Sequence, residues 1–199
     1  MTLQFEFKGL HRVISGGQTG ADQGGLIAAF KAGVETGGTA PLHYQTQDGF
    51  CPVLQVFGLS NAGNYASRTR RNVLDSDGTV IIAANTNSPG TVLTKTACKD
   101  ASKPYLVIDI SQIIEGLVQG PQTRIPITES LLQAGQTLKD FVVSKRIGIL
   151  NVAGNREIKG SAGNAIMPIC TSVEWIVAIA LELLELDDLL LTKSPSTLN

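Results

Sequence analysis

The sequence predicts an α/β fold, a three-layer sandwich that is Rossmann-like with a mainly parallel sheet, and three observations carry that prediction. Four short runs rich in branched residues are continuously apolar rather than alternating, as strands covered on both faces are. Helical patterns separate these runs, so strand and helix alternate along the chain. Three of the four strands are followed by glycine-rich turns, and in open parallel sheets ligands sit beyond the carboxyl ends of the strands.

In order, Arg12-Val13-Ile14 is the first strand and Ala21 to Gly33 the first helix. A helix from Tyr65 to Leu74, a strand from Thr79 to Ala83 and a helix from Thr91 to Ala101 follow. Tyr105 to Ile108 and Ile147 to Val152 are the remaining strands, with helices from Thr128 to Ser144 and from about Ala165 to Leu191. Two stretches break the rhythm. Thr36 to Asn64 is rich in Pro, Gly, Asn and Gln and reads either as a lid over a ligand or as a surface excursion with one edge strand. Ser111 to Thr128 reads as a second long irregular connection. Residues 1–192 are expected to form a single domain and 193–199 a flexible tail.

Composition narrows the function classes. The 16 Lys and Arg are scattered and the net charge is -1, so the basic stripe that nucleic acid demands is missing. The greasiest stretch, Val173 to Leu191, is interrupted by five acids, and the amino terminus carries no export pattern, so no membrane association is expected. Cys51, Cys98 and Cys170 stand far apart without a CxxC pair, which fits reduced thiols in a cytoplasmic protein. His11 and His43 match no metal spacing, and no nucleophile elbow is present.

The chemistry is expected in the turns. Ser15-Gly16-Gly17-Gln18-Thr19-Gly20-Ala21-Asp22 joins the first strand to a helix, where glycines allow close backbone approach and the helix offers free N–H groups and a positive dipole end. The turn is neither G-x-G-x-x-G nor a Walker loop. Its bland reading is a capping box of Thr19 with Asp22, worth about 1 kcal/mol. In Asn85-Thr86-Asn87-Ser88-Pro89-Gly90-Thr91, Ser88 can cap the next helix while Gly90 and Thr91 present donors. After the last strand, Gly154, Asn155, Arg156 and Glu157 bring a glycine, a bidentate phosphate donor and an acceptor for a base or pterin edge, with Lys159 read as solvated. Helix 65–74 is cationic, and a solvated face or subunit contact accounts for most of its charges.

Together, Ile14 to Asp22, Tyr65-Ala66-Ser67-Arg68-Thr69 with Asn72-Val73, Asp75 to Thr79, Gly90-Thr91, Lys103-Pro104-Tyr105 and Leu150 to Glu157 resemble the molybdenum-carrier family. That family looks like a circularly permuted relative of the Lonely Guy and lysine-decarboxylase-like Rossmannoid proteins, and the resemblance spans most of residues 12–180. It implies a homo-oligomer that holds the molybdenum cofactor (molybdopterin) by its phosphate and pterin without changing it, for delivery to a molybdoenzyme recipient. The implied cofactor-binding residues are Gly16, Gly17, Gln18, Thr19, Gly20, Asp22, Ser88, Gly90, Thr91, Gly154, Asn155, Arg156 and Glu157. The chain departs from the family pattern at Gln23, where arginine is usual, and at Pro89, where glycine is usual. The alternatives are a hydrolase of the related phosphoribohydrolase type or a nucleotide-sensing module. The hydrolase pattern wants a glutamate three residues after Thr91, where this chain has Thr94.

Overall fold

A computed structural model of the chain describes residues 9–118, 127–158 and 168–193. The five strands of the central sheet are β1 (Arg12–Ser15), β2 (Glu35–Gly37), β7 (Gly78–Ala83), β8 (Tyr105–Asp109) and β9 (Ile149–Gly154), in the order β2-β1-β9-β7-β8. Every pairing in it is parallel. The four expected strands are present with their ends shifted by a residue or two, and β2 is the edge strand of the first irregular stretch. Between β2 and β7 lie the short strands β3 (Thr39–Ala40), β4 (Gln45–Thr46), β5 (Gly49–Phe50) and β6 (Ser60–Asn61), with the one-turn helix α2 (Val53–Val56). Strands β4 and β5 form a small antiparallel hairpin.

The order has a consequence for topology. Counted from β7 through β8 and β9 and on to β1 and β2, the strands lie in the sequence 2-1-3-4-5, a doubly wound arrangement whose switch point falls between its first and third strands. In this chain that crevice opens between β7 and β9.

Helices cover both faces. Helix α1 (Ala21–Lys31) and the long α7 (Pro168–Lys193) pack together on one face, with α6 (Glu129–Lys145) against the other flank of α7. Helices α3 (Tyr65–Asp75) and α4 (Pro89–Asp100) pack together on the other face, against β7 and β9. The core between sheet and α1, α6 and α7 includes Val80, Ile82, Leu138, Leu150, Val152 and Ile176. Two glycines inside α1 each cost about 1 kcal/mol relative to alanine. They are needed because a Cβ on Gly24 would sit 2.4 Å from the Cys170 carbonyl oxygen, and one on Gly25 would sit 2.6 Å from Val152 Cγ1. Helix α1 is therefore clamped between α7, β9 and a second small core formed with Leu54, Phe57 and Leu59.

The second irregular stretch is corrected in part. Ser111–Val118 is a helix, α5, started by Asp109, whose Oδ1 accepts from Ser111 N at 2.8 Å. Those hydrogen bonds from Ser111 hold the Asp109 carboxyl below the usual range. Gly116 within it and Gly120 and Pro121 after it masked this helix in the sequence; residues 119–126 lie outside the described residues. Helix α7 runs through Lys193, the first residue of the expected tail, and 194–199 lie outside the described residues, as does Lys159.

Candidate functional site

The turn after β1 is buried throughout, from Ser15 to Gly20. Gly17 and Gly20 adopt positive φ, 73° and 84°, which glycine takes without strain. A Cβ on Gly20 would lie 2.5 Å from the Asn155 carbonyl oxygen and 2.6 Å from Glu157 N, so this glycine lets the first and third turns touch backbone to backbone. The capping box does not form. Helix α1 has no side-chain cap, Thr19 Oγ1 is buried without a partner, and Asp22 Oδ2 reaches back to accept from Gln18 N at 3.1 Å. Gln23 braces the turn from outside, its Nε2 donating to Gly17 O at 3.3 Å.

The residue that sequence reasoning undervalued is Arg68. It is 3% exposed, and its guanidinium crosses from α3 to the glycine turn, donating to Gly16 O at 2.5 Å and lying 3.4 Å from Asp22 Oδ2. Burial pushes the Asp22 carboxyl above its usual range, and Arg68 offsets part of that. Arg68 Nε is buried without a hydrogen-bond partner. Its neighbour Arg71, on the same helix, is exposed and pairs with Asp75 at 2.6 Å. The solvated-face reading of α3 thus holds for Arg71 and fails for Arg68, because packing against β9 and β3 turns one polar stripe inward. On that stripe Asn72 pins β3, its Oδ1 accepting from Thr39 N at 2.8 Å and its Nδ2 donating to Thr39 O at 3.2 Å.

These groups line a cleft at the carboxyl ends of β1 and β9, with Thr94 of α4 and Asn151 of β9 also on its wall. Of the residues expected from sequence, Gly16, Gln18, Thr19, Asp22, Gly154 and Arg156 line it. The cleft encloses about 20 Å³, room for one water, so a larger ligand requires side chains at its mouth to move. The mouth is Tyr65, its ring 4.7 Å from the Arg68 guanidinium carbon and 5.1 Å from that of the exposed Arg156.

Ser88, Thr91 and Asn155 form a different structure. Asn155 Nδ2 donates to Asn85 O, Ser88 Oγ and Thr91 Oγ1 at 3.2, 3.0 and 3.4 Å, while its Oδ1 accepts from Asn85 N at 2.7 Å. Ser88 caps α4 as expected, accepting from Thr91 N at 3.3 Å. Gly90 makes room for Tyr65, whose hydroxyl would lie 2.6 Å from an added Cβ. Glu157 caps α7: its carboxylate accepts from Ile169 N at 3.2 Å and Cys170 N at 2.9 Å. The β4–β5 hairpin lies over the glycine turn, held by Gln18 Nε2 to Gln45 O, Gln47 N to Gln18 Oε1, and Gln47 Nε2 to Glu157 O, at 3.1 to 3.2 Å. His43 and Tyr44, at its start, both adopt left-handed backbone with φ near 55°.

A larger hollow of about 880 Å³ lies between α1 and α7, lined by Leu10, Val34, Trp175 and Leu181 among others. It sits toward the amino ends of β1 and β2, away from the switch point, and size does not recommend it over a cleft holding unpartnered buried donors. No group of three or more His, Cys, Asp or Glu among the described residues could hold a metal ion. Among the described residues no helix is long and apolar enough to cross a membrane.

Comparison with known proteins agrees with this topology. A crystal structure described as a "putative molybdenum carrier protein" from Syntrophus aciditrophicus is 30% identical, superposes with a TM-score of 0.68, and covers 86% of this chain and 95% of its own. No curated protein matches the chain. Residues 13–167 match the model of the circularly permutated YpsA SLOG family. With the glycine turn, the β7–β9 crevice and the permuted strand order all inside the matched region, this chain belongs to the circularly permuted YpsA SLOG family.

Proposed function

We propose that this protein is a carrier of the molybdenum cofactor, holding a phosphate-bearing pterin or nucleotide-like ligand in the β1–β9 cleft without chemical change. The observation that carries the reading is the pair of buried polar atoms without partners on two residues that line it, Thr19 Oγ1 and Arg68 Nε. Buried polar groups are ordinarily satisfied, so orphans lining a cleft favour an external partner. Backbone N–H groups of the glycine turn and the exposed Arg156 supply the anion contacts. The likeness to the Syntrophus aciditrophicus protein supports the cargo, and family resemblance supports a cytoplasmic homo-oligomer that passes it to a molybdoenzyme.

Hydrolysis fits the geometry less well. Thr94, at the position where phosphoribohydrolases want a glutamate, donates its hydroxyl to Gly90 O at 3.0 Å. Asp22 is the carboxylate among the cleft-lining residues, and one of its two oxygens is already taken by Arg68 and Gln18 N. Protein purified from a cofactor-producing host is expected to carry molybdenum and, after oxidation, pterin fluorescence. Arg156→Glu, an exposed change, should lose both. Apo protein that binds neither added molybdenum cofactor nor any phosphate ester would sink the reading.

A further inference from the structure

Asp22 is an odd residue to find beside an anion site. Its Oδ2 is occupied by the Gln18 N–H at 3.1 Å and Arg68 at 3.4 Å. Among the described residues nothing hydrogen-bonds its Oδ1, although Asp22 lines the cleft beside the orphaned Thr19 hydroxyl and Arg68 Nε. The charged groups facing it are Arg68 from α3 and Arg156 from the turn after β9. A bare phosphate pressed against this carboxylate meets like charge in a poorly solvated place. A hydroxyl or ring N–H meets a waiting acceptor, and leaving such an acceptor unmatched is what makes polar sites selective.

We propose that Asp22 is the specificity element of the cleft: its free oxygen accepts from hydroxyl or ring N–H donors on the organic part of the ligand. The site then takes phosphate monoesters of donor-bearing groups in preference to inorganic or alkyl phosphates, with the phosphate held at Arg156 and the glycine-turn amides. This inference rests on the phosphate-binding reading above. It also explains why the acid is held so firmly in orientation: both Gln18 N and Arg68 grip one oxygen and leave the other to the ligand.

Titration calorimetry with inorganic phosphate, methyl phosphate, adenosine 5′-monophosphate and neopterin monophosphate tests it on the unmodified chain. One or both donor-bearing esters should bind at least about tenfold tighter than methyl phosphate, or about 1.4 kcal/mol. Preference for the adenosine ester identifies sugar hydroxyls as the donors; preference for the neopterin ester identifies the pterin edge. In Asp22→Asn the Gln18 N–H and Arg68 hold the amide oxygen where Oδ2 was, turning an NH₂ toward the ligand. Methyl phosphate should then bind more tightly than before, and the preference should fall to about twofold or less. Equal binding of methyl phosphate and the esters by the unmodified chain overturns the proposal while leaving phosphate binding intact. So does an undiminished preference in Asp22→Asn. Failure of all four to bind overturns the phosphate reading itself.

Discussion

Two turns on either side of the end of β9 contrast in how their polar groups are spent. In Asn85 to Thr91 the Ser88 and Thr91 side chains are tied to each other and to Asn155, which also grips the Asn85 backbone, while the Asn85 side chain accepts from Asn87 N, a closed clip between the ends of β7 and β9. In Ser15 to Gly20 the backbone is immobilised just as thoroughly, yet Thr19 Oγ1, and Arg68 Nε behind it, are left without partners. Both turns are glycine-bearing strand-to-helix connections. The difference teaches that such a connection is a binding element only where its hydrogen bonds remain unspent.

Breaking the open side should have the largest effect. Arg68→Leu strands the Asp22 carboxylate in a buried site and is expected to cost about 3–5 kcal/mol in urea denaturation while abolishing ligand binding. Breaking the clip should cost less. Asn155→Ala removes one amide with four partners, leaving the exposed Asn85 backbone groups to water and Thr91 Oγ1 to Ser88 Oγ alone, an expected loss of about 1 kcal/mol. Since Asn155 is outside the cleft lining, ligand affinity should fall much less than in Arg68→Leu, and equal losses would refute the contrast. The smallest effect sharpens the comparison without altering stability. Burial, with the Glu157 and Glu174 carboxylates, pushes the Cys170 thiol up to about 12, and burial also raises Cys98. Alkylation of native protein at pH 8 should therefore modify half-buried Cys51 first, with Cys98 and Cys170 reacting on unfolding.

Much of this architecture was legible in the sequence. Continuous branched runs marked β1, β7, β8 and β9 because strands buried on both faces need no polar alternation. Glycines at 16, 17 and 20 marked the tight turn after β1, since their close contacts tolerate no side chain. Arg68 was harder to read. In composition it matches Arg70 and Arg71, and what separates them is which stripe of α3 faces β9, a property of packing. The signal was present as Tyr65, Arg68, Thr69 and Asn72, a polar stripe at helical spacing where a core-facing helix would show an apolar one. Glu157 was ambiguous for the opposite reason: an acid after a glycine turn suits a ligand or a helix cap equally, and in the structure its carboxylate caps the start of α7.

The burial of α1 has a further meaning for motion. With α7 on one side, β9 on another and the Leu54–Leu59 core over a third, its amides belong to the part of the molecule that opens last, and the glycine turn is bolted to its first residue. The rigid jaw of the cleft is thus the backbone. For the proposed ligand, adjustment would fall to Tyr65, the exposed Arg156 and the glutamine-latched hairpin, leaving the backbone frame of the turn in place.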